Sequence, residues 1–159
     1  MRLGILADIR EDAERLTLAL RRFRQEGVQR IVVLGDVFDM GSRLYETIAL
    51  LVEAGAVGVW GNHDLGLCHE PDERIKKRYA DPVFDFMQTL RPRLELEGCL
   101  FTHGLPYYDA TDPVVYYLGE RPETVEGLAR SFAASSHPVQ FGGGIHRVGS
   151  AGPFPKPSM

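Results

Sequence analysis

Five short motifs in this chain bring together residue types that bind cations. They are Ala7-Asp8, Gly35-Asp36, Gly61-Asn62-His63-Asp64, Thr102-His103-Gly104 and Gly144-Ile145-His146. Each follows an apolar run, so each would deliver a carboxylate, an amide or an imidazole just past a strand. A single Asp or His at such a place is more often a cap, a turn former or a satisfied polar group. Five at one relative position imply convergence. Asp8, Asp36, Asn62, His103 and His146 would meet along one edge of one sheet, beyond the carboxyl ends of its strands, where open parallel sheets bind ligands. Oxygen ligands mixed with imidazoles suit Mn, Fe or Zn better than a thiolate-seeking ion. A carboxylate bridging two such ions about 3.5–4 Å apart lets a shared hydroxide attack phosphorus while the other oxygens are clamped. Asp36 is the natural bridge, since it ends the most apolar run and Asp39 follows one turn on.

The elements that must position these groups are legible in the first third. Leu3 to Ala7, Ile31 to Leu34 and Ala56 to Trp60 are continuous apolar runs, as expected for strands covered on both faces. Between them, Ala13, Leu16, Leu20 and Phe23 recur at helical spacing with Gly27 as the stop. Leu44, Ile48, Leu51 and Val52 do the same between Ser42, read as an N-cap, and Gly55. The pattern is βαβαβ, so the fold class is α/β. Further on, Val83, Phe86, Met87 and Leu90 mark a helix ended by Pro92. Arg93 to Leu96 and Cys99 to Phe101 flank Glu97-Gly98 as a hairpin. Thr124 to Ala134 reads as a helix, and Val139 to Phe141 as a last strand. Residues 1–148 are taken as one domain, and 149–159, rich in Gly, Pro and Ser, as a tail.

Composition limits the classes. A chain of 159 residues, 44% hydrophobic and 25% charged, can bury a core and is not a disordered chain. A net charge of −4 argues against a nucleic-acid partner, and no stretch is long enough to cross a bilayer. Arg21, Arg22 and Arg24 read as the solvated side of a helix. Cys68 and Cys99, without secretory context, read as reduced thiols, which places the chain in the cytoplasm. Cys68-His69 has no second pair at a zinc-site spacing. No Gly-x-Gly-x-x-Gly follows the first strand, which sets a dinucleotide-binding domain aside.

Asp8, Gly35-Asp36-Val37-Phe38-Asp39, Gly61-Asn62-His63-Asp64, His103-Gly104 and the closing Gly-x-x-His together resemble the calcineurin-like metallophosphoesterases. The type is that of the small bacterial and archaeal phosphodiesterases and phosphatases. The resemblance runs from Leu3 to about His146. It implies a layered α/β/β/α sandwich, two packed sheets flanked by helices. It also implies one or two divalent ions (Mn, Fe, Zn or Ni, with Mn favoured). Asp8, Asp36 and His146 would hold one ion, and Asp36, Asn62 and His103 the other. His63 would be catalytic, meeting the leaving oxygen, with Asp39 orienting its ring and Asn62 holding phosphoryl oxygens. The implied activity is hydrolysis of phosphomonoesters or phosphodiesters by a metal-bound hydroxide, on a small phosphorylated substrate.

Two positions depart from the pattern. Where the family usually has Asp-x-His, this chain has Asp8-Ile9-Arg10. Where it usually has Gly-His-x-His, this chain has Gly143-Gly144-Ile145-His146. Each implied ion therefore loses an imidazole. Arg10 cannot replace one, because a guanidinium has only donors and stays charged. It is expected to pair with Asp8 or to contact a substrate phosphate. The chain also ends soon after His146, where the family continues, so the second sheet is expected to be incomplete. These departures motivate an alternative: a weak or inactive relative that binds a phosphate-bearing ligand or a protein. Tyr107, Tyr108, Tyr116 and Tyr117 flank Asp109 to Pro113 and read as packing in preference to a lid. Asp64 is read equally as a site residue or as a helix cap.

Overall fold

Two small sheets packed face to face set the frame. The computed structural model describes residues 1–118 and 125–144. His146, the expected tail over 149–159 and the expected helix start at Thr124 lie outside these residues. In chain order the elements are β1 (Leu3–Leu6), α1 (Ala13–Gln25), β2 (Arg30–Leu34), α2 (Leu44–Glu53), β3 (Val57–Val59) and α3 (Leu65–Cys68). They continue with α4 (Glu73–Arg78), α5 (Asp81–Met87), β4 (Arg93–Leu96), β5 (Cys99–Thr102), α6 (Pro113–Leu118), α7 (Val125–Ala133) and β6 (Val139–Gly142). The first sheet has the order β1-β2-β3 and is parallel throughout. The second has the order β4-β5-β6, with β4 antiparallel and β6 parallel to β5.

Strand parity explains the layers. Successive residues of β2 point to opposite faces. Val33 packs with Leu16, Leu44, Ile48, Leu51 and Phe86 under the helices. Val32 and Leu34 pack instead with Val59 and Phe101, alongside Leu3, Ile5, Leu94 and Phe141, between the two sheets. Val32 and Val33 are wholly buried, as an apolar strand covered on both faces requires.

Local signals set the ends of the elements. Asp12 Oδ1 accepts from the Arg15 amide at 3.0 Å and starts α1. Gly27 and Gly55 follow α1 and α2 in the left-handed region. Glu97 and Gly98 both have positive φ, 52° and 73°, as a two-residue hairpin turn demands, and they fix the pairing of Leu96 with Cys99. One start differs from expectation. Ser42 does not cap α2; Arg43 occupies the cap position and makes no side-chain cap bond. Its amide donates instead to Glu11 Oε2 at 3.1 Å, because the chain before α2 is tied to the loop after β1. The short helices α4 and α6 carry too few residues for a periodic signal and were not expected, whereas α3 begins after Asp64, one of whose two readings was a helix cap.

No helix among the described residues is long and apolar enough to cross a membrane. Cys68 and Cys99 are both free thiols.

Candidate active site

The loops after β1 and β2 are laced together beyond the strands. The amides of Asp8, Arg10 and Glu11 donate to the carbonyls of Gly35, Asp36 and Val37 at 3.1, 2.9 and 2.9 Å. Holding this geometry forces Asp8, Arg10, Glu11, Asp36 and Met40 to positive φ, between 47° and 58°. That region is uncommon for any non-glycine residue and costs about 1–3 kcal/mol at each position, and such strain clusters at functional sites. The loop after β3 closes against the same place. Gly61 has to be glycine: a Cβ there would stand 2.1 Å from Asp36 Oδ1 and 2.6 Å from the Asp36 amide.

Four of the five expected ligand positions converge. Asp36 is 1% exposed at the centre. Its Oδ1 accepts from the His63 amide at 3.2 Å and lies 3.5 Å from His103 Nε2. His103 Nε2 is also 3.2 Å from Asn62 Oδ1. Asp8 joins through Arg10, whose Nη2 is 3.0 Å from Asp36 Oδ2 and 3.8 Å from Asp8 Oδ1. The gathering is not along one sheet. Asp8, Asp36 and Asn62 follow strands of the first sheet, whereas His103 follows β5 of the second, so the site spans the edges of both. The fifth position, His146, is outside the described residues.

His103 carries the clearest chemical signal. Its Nδ1 lies 2.6 Å from the Leu34 carbonyl, which can only accept, so Nδ1 bears a proton. A neutral ring then keeps a lone pair on Nε2. That lone pair faces two oxygen acceptors, Asn62 Oδ1 and Asp36 Oδ1. Three acceptors turned on one another repel unless a cation or a second ring proton lies among them. One nitrogen and two oxygens form a donor set that fits Mn or Zn. The ring is 2% exposed, and Tyr116 packs on it at 5.5 Å between centroids. Gly144 also lies beside it: a Cβ would stand 2.9 Å from Nε2. Among the described residues, no group of three or more His, Cys, Asp or Glu side chains is gathered as a ready metal cage. The set around His103 has two of those types, and the amide oxygen of Asn62 makes the third donor.

On the opposite side of Asp36 the arrangement differs. Arg10 stands among Asp8, Asp36 and Asp39, with Nη1 3.7 Å from Asp39 Oδ1. The same Asp39 oxygen lies 3.3 Å from His63 Nδ1, so Asp39 links the guanidinium to the imidazole. His63 is partly exposed at the rim.

Two further acids, one underestimated and one missed in the sequence, hold the loops. Asp64 occupies the N-cap position of α3 but makes no cap bond. Its Oδ1 accepts from the amides of Val37 and Phe38, and its Oδ2 from the amide of Gly61, each at 2.9 Å. Complete burial pushes its carboxyl up to about 7. The backbone donors at Gly61 and Phe38 pull it the other way, and neighbouring Asp36 adds to the rise. Glu11, 6% exposed, accepts from the amides of Asp39, Gly41 and Arg43 at 3.1, 2.9 and 3.1 Å. Its only sequence signal was an acid beside Arg10 that the helix cap, Asp12, did not need.

The tyrosines form a packed ladder. Tyr107 meets Tyr108 edge-on, and Tyr108 meets Tyr116 edge-on next to His103. The side chain of Tyr117 is outside what is described. His69 stacks on Trp60, burial pushes the Cys68 thiol up, and among the described residues neither joins a group of three or more His, Cys, Asp or Glu side chains.

Comparison with known proteins places these features. The sequence profile of the calcineurin-like phosphoesterases matches residues 1–133. The chain is 29% identical over 65 residues to the uncharacterized protein MJ0912 of Methanocaldococcus jannaschii, a stretch covering 41% of this chain and 27% of that protein. It superposes on the crystal structure of a metallophosphoesterase from Sphaerobacter thermophilus with a TM-score of 0.64 and 22% identity, over 89% of this chain and 59% of that one. The chain thus spans about a quarter of the first relative's length and under two thirds of the second's.

Proposed function

This chain belongs to the calcineurin-like phosphoesterase family, and we propose that it hydrolyses phosphomonoesters or phosphodiesters of small molecules with the help of a divalent metal ion. The observation that carries this reading is the triad of acceptors around His103. Its Nε2 lone pair is fixed by the Leu34 carbonyl and turned toward Asp36 Oδ1 and Asn62 Oδ1. Asp36, Asn62 and His103 would hold the ion, with Mn the favoured metal. Bound there, it would supply Lewis-acid activation of water and of a phosphoryl oxygen. The remaining work falls to the chain's own groups. Asn62 and Arg10 present donors to phosphoryl oxygens. Asp39 faces Nδ1 of His63 and orients the ring, leaving the other ring nitrogen to give a proton to the departing oxygen. The free thiols of Cys68 and Cys99 support a reducing compartment, the cytoplasm.

The test is turnover of an aryl phosphomonoester and an aryl phosphodiester with added Mn. Wild type is expected to hydrolyse at least one of them, and Asp36→Asn neither. His63→Ala is expected to lose about 10²–10⁴ in turnover while keeping its Mn. Full hydrolysis by Asp36→Asn would overturn the assignment. No turnover and no bound Mn in the wild type would favour a phosphate-binding module instead, with Arg10 as its anchor.

A further inference from the structure

We infer that Arg10 is a fixed cation built into the site, so that the chain binds one divalent ion and not two. This rests on the metal-dependent reading above and adds the stoichiometry and the identity of the second positive charge. The two oxygens of Asp36 face opposite sides of the cleft. Oδ1 turns to His103, whose Nε2 bears a lone pair in the neutral ring, whereas Oδ2 accepts from Arg10 Nη2 at 3.0 Å. On the Oδ2 side stand two more carboxylates, Asp8 at 3.8 Å and Asp39 at 3.7 Å from the same guanidinium. Three carboxylates this close repel one another, and positive charge among them offsets that repulsion. Arg10 supplies it permanently, since a guanidinium is not deprotonated in proteins.

An ion coordinated by Asp36 Oδ2 and Asp8 Oδ1 would need the oxygens that Arg10 engages, and its charge would repel the guanidinium. The backbone keeps Arg10 in place. Its φ is 47°, and its amide is bonded to the Asp36 carbonyl, so the side chain starts from a fixed point over the acids. The planar fork of donors also suits the phosphoryl oxygens of a substrate, a role a metal ion would otherwise fill. The site is thereby divided into a metal half around His103 and a guanidinium half around Asp8.

The experiment measures bound Mn after equilibrium dialysis of the whole chain, together with the electron paramagnetic resonance spectrum. Wild type is expected to hold one Mn per chain, with the uncoupled spectrum of an isolated ion. Arg10→Lys keeps the charge and is expected to stay at one. Arg10→His, with the charge removed and an imidazole in its place, is expected to rise to two and to show exchange coupling between the ions. Two ions in the wild type, or a single ion in a folded Arg10→His protein, would overturn the role given to Arg10 and leave metal dependence standing. Wild type without bound Mn would instead overturn metal dependence itself, and this inference with it.

Discussion

Replacing Asp64 tests whether a residue that touches no substrate assembles the site. Its carboxylate ties the loop carrying Asp36 to Asp39 to the amide of Gly61, accepting at 2.9 Å from the amides of Val37, Phe38 and Gly61. Asp64→Ala strips all three acceptor contacts from a position that is 0% exposed. A buried donor left unpaired costs about 1–3 kcal/mol. A single water entering the space could accept from two of the amides at most, so the net loss is about 2–5 kcal/mol. That is a large share of the roughly 5–15 kcal/mol that holds a domain folded. Asp64→Asn should lose less, about 1–3 kcal/mol. Its oxygen still serves Val37 and Phe38, and only the amide facing Gly61 meets donor with donor. Burial already opposes the charge on Asp64, so removing that charge is not itself a loss. Urea unfolding at neutral pH, followed by circular dichroism with unchanged denaturant slope, gives the ranking. An Asp64→Ala protein within about 0.5 kcal/mol of the wild type would refute the reasoning.

Glu11→Ala should loosen the chain from Asp39 to Arg43 and cost about 1–3 kcal/mol in the same assay, with water replacing part of the loss at this edge. Gly61→Ala should drive a methyl group into Asp36; urea unfolding is expected to show a loss of about 1–3 kcal/mol, and dialysis a loss of bound Mn. Asp39→Asn should lower turnover on an aryl phosphodiester by about 10–100-fold without changing the Mn content, because it acts through the orientation of His63.

The parts of the fold that the sequence revealed are those governed by period and by punctuation. The runs Leu3 to Ala7, Ile31 to Leu34 and Ala56 to Trp60 are apolar because the strands within them pack on both faces, and a continuous run is what that burial selects. Glu97-Gly98 announced the hairpin because a two-residue turn needs left-handed backbone. The pieces that escaped notice are short or are decided at a distance. A six-residue helix such as α4 completes less than two turns and buries none of its residues, so it has no apolar stripe to detect. Ser42 looks like a cap, yet the Arg43 amide is claimed by Glu11 from another loop, a competition invisible along the chain.

The candidate site divides in the same way. Asp36, Asn62, His63 and His103 stood out because they lie at strand ends beside glycine, where a backbone must pass close to another. Expecting one sheet to carry them all was an error of topology: β5 reaches the site from the second sheet, and nothing in the Thr102-His103-Gly104 motif says which sheet it joins. Glu11 and Asp64 were harder still. Both are acids that bond only to backbone amides, and any loop contains amides, so neither leaves a pairwise signature in sequence. Yet the strain at Asp8, Arg10, Glu11, Asp36 and Met40 needs restraint from somewhere. Glu11 and Asp64 meet that need with three acceptor bonds each, which spares Asn62 and His103, facing Asp36, from holding the loops that bear them.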